Sequence, residues 1–544
     1  MKSHYPDIVK GNEAAIENDL KRFNPDERII YGAYGFPDYA NNAVPIETMS
    51  SGYYCKDSKF YRDKNLLYIM NCLIDYLYSA QREDYTVDTK ISDYKTGPVL
   101  LSNFLVRGYR IMKKYAKTEE EIALRDRLKA YLVPVAKGVC NGGTITPNHR
   151  WMYSSSALML YNEVKMECLK EISEAYLNEG VDIDEAGEYT ERSPMYNREC
   201  NNAFIIIAEE TKNDYYLESV RKNLELMLYY IEPDFTMFTQ NSNRKDKQEG
   251  DVSATFYPDG YYHSYLHMSY LDKNPLFAGM ADEIFNSIKK RTGRGPSVLW
   301  MYLLNPKLKE YEPKTVTRPA SFNIFHKDIV RRKNEDFSVT LLTRSPNFLF
   351  VQKGNLRCFV RVCASFFAVA QLIPQKIEKT GDDTYRFTMT AEGKYHGPLP
   401  EKPNTVVWKE MDHSKRPVIN RVQLTYHVTI ALKDTGVCMD IKSEGMDQVP
   451  YKVEFCFTAP CTVKNKDKLY DCLPGEHMTF NEGDIDIEKD GNILTITNTH
   501  NSHIYHDIMR GSVPKSASSF TIYYTGFTHI NEHIEILNQR RENA

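Results

Sequence analysis

Along roughly the first three hundred positions, apolar residues recur at intervals of three and four, the spacing of a helix with one buried face. "DKNLLYIMNCLIDYLYSAQRE" and "TGPVLLSNFLVRGYRIMKKYA" show it cleanly. "KTEEEIALRDRLKAYLVPVAKG" adds a start signal, Thr118 followed three residues later by Glu121, the pattern of a capping box. Further helices are predicted over 154–178, 196–211, 215–231, 260–271, 277–292 and 296–304. This is a succession of helical hairpins. At 305–319 the text turns to "NPKLKEYEPKTVTRP", rich in Pro and Lys and without an apolar face. Beyond it the period falls to two. "FSVTLLTRS", "FLFVQKG", "LRCFVRVCASF", "TYRFTMTAEG", "RVQLTYHVTIALKD", "GVCMDIKSEG", "YKVEFCFTAP", "ILTITNTH" and "SFTIYYTGF" are short alternating runs with no helix between them. So many strands in succession predict an antiparallel β-sandwich or an equivalent stack. The expected organisation is a helical domain over 1–304, a linker over 305–319 and a β domain over 320–544.

A chain of 544 residues exceeds what one core usually supports, which agrees with two domains. The net charge of −4 gives no reason to expect nucleic acid or a membrane surface as partner, and no apolar run is long enough to span a bilayer. The first twenty residues, "MKSHYPDIVKGNEAAIENDL", lack the apolar core of a secretory signal, so the chain as written is expected to be cytoplasmic and to meet imported oligosaccharides, or to be periplasmic or secreted if a leader was removed. The eleven cysteines form no CxxC pair and no zinc-finger grouping. Reduced structural thiols are therefore expected, with neither disulfides nor a Cys-built zinc site. Tyrosine is plentiful, 39 residues, a composition common where sugar rings stack.

Three stretches carry candidate chemistry. "GGTITPNHRWMYSSSALMLYNEV" sets Asn148, His149 and Arg150 side by side at the mouth of an apolar helix. "VDIDEAGEYTERSPMYN" places Glu191, Arg192 and Tyr196 in an acidic loop that feeds directly into a strongly apolar helix, together with Asp184 and Glu188. A solvated loop and a capped helix would explain either motif alone. Both, however, open apolar helices about one hairpin apart, and stacked hairpins bring such starts to one rim. The third stretch, "FTMFTQNSNRKDKQEGDVSATFYPDGYYHSYLHMSY", is a long irregular segment, and such segments inside compact domains tend to be functional. It supplies Asn241, Arg244, Tyr261 and His263 as candidate sugar contacts. His263 and His267 stand four apart, the spacing of a metal-binding pair, yet no third ligand is in view, so no metal or other cofactor is expected.

Taken together, "NHRW" before a helix, "DEAGEYTERSPMYN" one hairpin later, the Pro/Lys linker and the all-β second half resemble the heparinase II/III-like and alginate-lyase-like polysaccharide lyases. The resemblance covers nearly the whole chain. It implies an incomplete (α/α) toroid of helical hairpins followed by a C-terminal antiparallel β-sandwich domain. It places the family's cleft Asn-His pair on Asn148 and His149 and its tyrosine on Tyr196. Arg150 and the Glu191–Ser193 sequence depart from the better-known members and suggest a divergent branch. A further cleft residue from the β domain has no single counterpart: His326 and His413 are candidates, the latter in "VVWKEMDHSKRP" beside Trp408 and Arg416.

The implied reaction is β-elimination at C4–C5 of a uronic acid within an acidic oligosaccharide or polysaccharide. Its proton lies next to a carboxylate, so donors or cations must neutralise the charge that builds there. Asn148 suits that duty, as do Arg150 and Arg192. Tyr196 is expected to act as acid, and also as base when both events share one face, with His149 as second choice for base. Three other readings fit the residues: a toroid glycoside hydrolase built on a pair from Asp184, Glu188 and Glu191, a uronate C5-epimerase, and a catalytically silent sugar-binding protein that keeps the aromatics. The sequence leaves homo-oligomerisation open.

Overall fold

The computed structural model of the chain describes residues 3–32, 38–87, 97–247, 255–326, 328–466, 468–502 and 508–539. It divides into two compact units. The first comprises the described residues of Met1–Tyr230, Ser242–Asp246 and Tyr257–Arg318. The second comprises those of Ile231–Asn241, Lys247–Phe256 and Pro319–Ala544, so two short stretches of the long irregular segment group with the β unit.

The first unit holds helices α1 (Tyr5–Arg22), α2 (Tyr39–Tyr54), α3 (Lys64–Ser79), α4 (Gly97–Tyr115), α5 (Glu119–Cys140), α6 (His149–Val164), α7 (Glu167–Asn178), α8 (Pro194–Thr211), α9 (Leu217–Leu228), α10 (Tyr262–Asp272), α11 (Pro275–Thr292) and α12 (Leu299–Leu304). α2, α4, α6, α8 and α10 pack one against the next, and α12 lies against α2 and α4. α3, α5, α7, α9 and α11 flank them, giving the expected helical toroid. Burial follows from place in the ring. α6 buries every residue from Tyr153 to Leu160, as an inner helix enclosed on all sides must, whereas α7 fully buries only Leu169 and Ser173. The capping box of α5 is formed: Thr118 Oγ1 accepts from the Glu121 N–H at 3.3 Å, and Glu121 Oε2 accepts from the Thr118 N–H at 3.2 Å. The helix predicted over 154–178 is two helices. Lys165 closes α6 in the left-handed region at φ 55°, and the chain reverses into α7. Among the described residues, no helix is long and apolar enough to cross a membrane.

One cysteine expectation is corrected. Cys140 at the end of α5 and Cys168 at the start of α7 form a disulfide with Cα atoms 6.2 Å apart, while the remaining nine cysteines are free and buried. Their separation of 28 residues gives no spacing signal; the packing of α5 beside α7 brings them together.

The second unit is two sheets. The eight-stranded sheet runs in the order His477–Met478, Ser519–Phe527, Pro450–Thr458, Leu356–Ala364, Leu349–Lys353, Phe337–Leu342, Ile329–Asn334, Ser321–His326, antiparallel after the first pair. The nine-stranded sheet runs Lys468–Cys472, Cys461–Asn465, Glu482–Lys489, Asn492–His500, Asn531–Leu537, Gly436–Gly445, Val418–Lys433, Thr384–His396, Glu378–Gly381. Inward residues of both sheets, among them Val360, Val362, Phe387, Tyr426, Phe455 and Ile522, form one apolar core, the β-sandwich the alternation predicted. Ile329–Asn334 carries three cations in a row and gives no alternation signal. Its Arg331 is nevertheless buried, because Glu232 accepts from Arg331 Nη1 at 3.0 Å and from Ser338 Oγ at 2.6 Å.

The disulfide predicts that nine of the eleven thiols titrate in denaturant without reductant. Cys168→Ser should lower the stability of the helical unit by about 2–4 kcal/mol, read by chemical denaturation. Eleven titrating thiols would exclude the bond.

Candidate active site

The two motif-bearing loops meet at the starts of α6 and α8. Ser193 caps α8 by accepting the Tyr196 N–H, and Pro194 occupies the first turn, where its missing N–H costs nothing. Asp246 holds the cap in turn: Oδ2 accepts from Ser193 Oγ at 2.8 Å and from the Met195 N–H at 3.2 Å, and Oδ1 accepts from Ser242 Oγ at 2.5 Å. The Asn243 N–H donates to the Glu191 carbonyl at 3.0 Å. These bonds dock the Ser242–Asp246 turn onto the loop before α8, and so deliver Arg244.

Arg244 then makes two contacts. Its guanidinium pairs with the Glu191 carboxylate and lies 4.2 Å from the centre of the Tyr196 ring. Glu191 is 5% exposed; burial raises its pKa, and Arg244 opposes the rise. Asn148 completes the group. Its side chain makes no cap bond, although it stands at the N-cap of α6. With its amide nitrogen facing the acceptors around it, Asn148 Nδ2 donates to Thr146 Oγ1 at 2.6 Å and to Glu191 Oε2 at 3.1 Å. Asn148, Glu191, Arg244 and Tyr196 are thus one contiguous cluster, with His149 buried in the adjoining first turn of α6. Among the described residues the Tyr196 hydroxyl has no hydrogen-bond partner, which leaves it available to a ligand.

Other expected contacts lie elsewhere. Arg150 is committed to its own chain: it pairs with Glu179 and Asp182 at 3.0 Å each and stacks on Trp151. Successive helical residues point about 100° apart, so neighbours at the start of α6 cannot all face one ligand. Arg192 adopts φ 51° in the turn before α8, and its charge acts on Glu188. Tyr261 is fully buried, with its hydroxyl donating to the Pro194 carbonyl at 2.6 Å, so it supports α8 and is closed to substrate. His263 is paired through Nδ1 with Asn202 Oδ1 at 2.9 Å, about 12 Å along α8 from its start. There it lines a separate pocket of about 570 Å³ with Arg107, His267 and Trp300. Burial and the Arg107 charge hold the His263 pKa well below the ordinary imidazole value.

Asn241, Trp408 and Arg416 belong to the second unit. Within it, Trp408, 63% exposed, meets the His413 ring in a tilted contact at 4.3 Å and lies under Arg416 at 4.6 Å, an aromatic and cationic patch. His326 ends Ser321–His326, an edge strand of the eight-stranded sheet.

The acidic residues weighed for hydrolysis have other duties. Asp184 Oδ1 accepts the Ala186 and Glu188 N–H groups and closes a turn. Glu188 is buried, accepting from Asn197 Nδ2 at 2.9 Å and Tyr230 Oη at 2.6 Å, and burial pushes its pKa up to about 7. Sequence reasoning missed Asp246 and Asp182, because each sits in a charge-rich run that reads as solvated surface.

No protein-family model matches the sequence, and no curated protein matches it significantly. Solved structures do match. A mutant of heparan sulfate lyase HepC from Pedobacter heparinus aligns over 100% of this chain and 87% of its own, with TM-score 0.51 and 10% identity. The corresponding HepC without the mutation covers 92% of this chain and 76% of its own at TM-score 0.49 and 10% identity. A heparinase III with methylated lysines covers 91% and 76% at TM-score 0.45 and 12% identity. The first shows the fold that this chain shares with it, a helical toroid followed by a β-sandwich.

A pH dependence follows from Glu188. Its folded pKa of about 7 lies above the ordinary 4.5, so between those values the folded state holds a proton that the unfolded chain has lost. Its contribution therefore favours folding at low pH and is lost as pH rises from about 4.5 to about 7, by up to about 3 kcal/mol. Comparing urea midpoints at the two ends of that window, the wild type should lose ground relative to Glu188→Gln as pH rises. Parallel profiles would refute the assignment.

Proposed function

We propose that this protein is a polysaccharide lyase that cleaves uronic-acid-containing glycans by β-elimination. The observation that carries the reading is the cluster at the starts of α6 and α8: a guanidinium held between a buried carboxylate and a tyrosine ring, beside a buried Asn-His pair. The HepC structures are described as heparan sulfate lyases, and a uronate is the sugar class such a cluster suits.

In the proposed reaction a base removes the C5 proton, that electron pair forms the C4=C5 double bond, and the C4–O4 bond breaks. The departing O4 takes a proton. Charge accumulates on the C6 carboxylate as C5 is deprotonated, and Arg244 supplies the cation that meets it in two-point fashion. Asn148 is a positioning residue here: its amide holds Glu191, and Glu191 orients Arg244. This assigns to Arg244 the part expected of Arg150. Tyr196, with its hydroxyl available and its ring fixed by Arg244, serves as acid and, on the same face, as base. His149 is the second base candidate. The hydrolase reading is the weaker one, since Asp184 closes a turn and Glu191 is bound to Arg244.

The test is incubation with a panel of uronate-containing oligomers and polymers, following ultraviolet absorbance and product mass. Elimination creates a conjugated chromophore; hydrolysis adds water without one; epimerisation cleaves nothing. Tyr196→Phe should reduce kcat by about 10²–10⁴ with little change in KM. Arg244→Ala should cost on the order of 10²–10³, as loss of a transition-state charge partner does, and Arg244→Lys should recover only part. Glu188→Gln and Asp184→Asn should be milder. Cleavage that survives Tyr196→Phe, dies with Glu188→Gln and yields no absorbing product would replace the lyase with a hydrolase.

A further inference from the structure

The nine-stranded sheet carries a second constellation. Gly436–Gly445 and Asn531–Leu537 pair antiparallel, with Asp440 opposite His533 and Cys438 opposite Glu535. Strand alternation puts Cys438 and Asp440 on one face, and the cross-strand register brings His533 to that same face. Cys438 is 8% exposed, whereas the side chains of Asp440 and His533 are 45% and 53% exposed, so the group opens to solvent. His533 Nδ1 lies 2.7 Å from Asp440 Oδ1, and Cys438 Sγ lies 3.7 Å from His533 Nε2 and 3.8 Å from Nδ1. One donor atom from each residue falls within 4.8 Å of the others, the sole grouping of this kind among the described residues.

We propose that Cys438, Asp440 and His533 bind one zinc-type transition-metal ion through a thiolate, a carboxylate and an imidazole, with the fourth position open to water. The spacing suits it. Ligands bonded at about 2.0–2.3 Å along tetrahedral directions stand about 3.3–3.7 Å from each other. With Nδ1 as the ligand nitrogen, the Cys438 sulfur at 3.8 Å is already close to that range, and the contact to Asp440 Oδ1 at 2.7 Å lengthens by about 0.6 Å as the ion enters. Charge suits it as well, because one thiolate and one carboxylate balance a divalent cation. On binding, the Cys438 S–H gives its proton to solvent. Sulfur and nitrogen donors together favour zinc, cobalt or copper over calcium and magnesium. The ion would join Asn531–Leu537 to Gly436–Gly445 by bonds independent of their backbone ladder.

The experiment uses the full chain, stripped with chelator in the absence of reductant and titrated with cobalt(II). One equivalent should produce a thiolate-to-cobalt charge-transfer band in the near ultraviolet, zinc should displace it, and zinc should raise the Tm of the β unit. Cys438→Ser should abolish the band. Asp440→Asn and His533→Gln, which keep the shape of the strand surface, should weaken binding by at least the roughly 10–100-fold that loss of a supporting group costs. The proposal is overturned if no band forms, if the band survives in Cys438→Ser, if both conservative variants bind as the wild type does, or if calcium raises the Tm as much as zinc.

Discussion

The buried ion pair between Glu191 and Arg244 is the interaction on which the proposed site depends. A carboxylate 5% exposed must be compensated, and removing one partner of such a pair typically costs several kcal/mol because the other charge is left stranded. Glu191 therefore recruits Arg244 from a distant turn and the Asn148 amide from the neighbouring hairpin. Those two recruits define where a ligand would sit. Tyr196 gains its fixed orientation from the same pair, through the guanidinium stacked on its ring. The pair is held by a second carboxylate, Asp246, which secures both the cap of α8 and the turn that bears Arg244.

The toroid explains why this cluster can form from residues so far apart in the chain. Consecutive hairpins place the starts of the inner helices α6 and α8 side by side, so loops one hairpin apart converge. The rest of each inner helix is enclosed, which gives apolar residues on all faces and leaves the loops as the place for polar chemistry. His263 illustrates the alternative. It stands on α10 and is buried against Asn202, about 12 Å along α8 from that helix's start, and beside Trp300, in a pocket distinct from the proposed site.

Much of this was legible beforehand. Helical periodicity before 305 and alternation after 319 identify the toroid and the β-sandwich, because each pattern states which face of an element is apolar. Asn148, His149, Glu191 and Tyr196 stand out since polar residues open otherwise apolar helices. Other residues take partners that the local pattern does not show. Arg150 sits one position from His149, yet the turn of the helix sends it to Glu179 and Asp182. Tyr261 carries a polar hydroxyl that any backbone carbonyl can satisfy, and here the Pro194 carbonyl does. The strand Ile329–Asn334 hides behind three cations, one of them neutralised by Glu232 from ninety-nine positions away.

Taken alone, the sequence determined the type of most elements, helical before 305 and extended after 319, and the loops that bear polar chemistry, since these rest on local periodicity and capping. Tertiary structure alone decided the partners: that Arg244 and not Arg150 stands with Tyr196, that Cys140 meets Cys168, and that Cys438, Asp440 and His533 share one face of a sheet. The physical reason is that pairing between distant residues depends on helix phase, strand register and loop docking. Each of these is set by the packing of whole elements, and none leaves a mark on the few residues that it brings together.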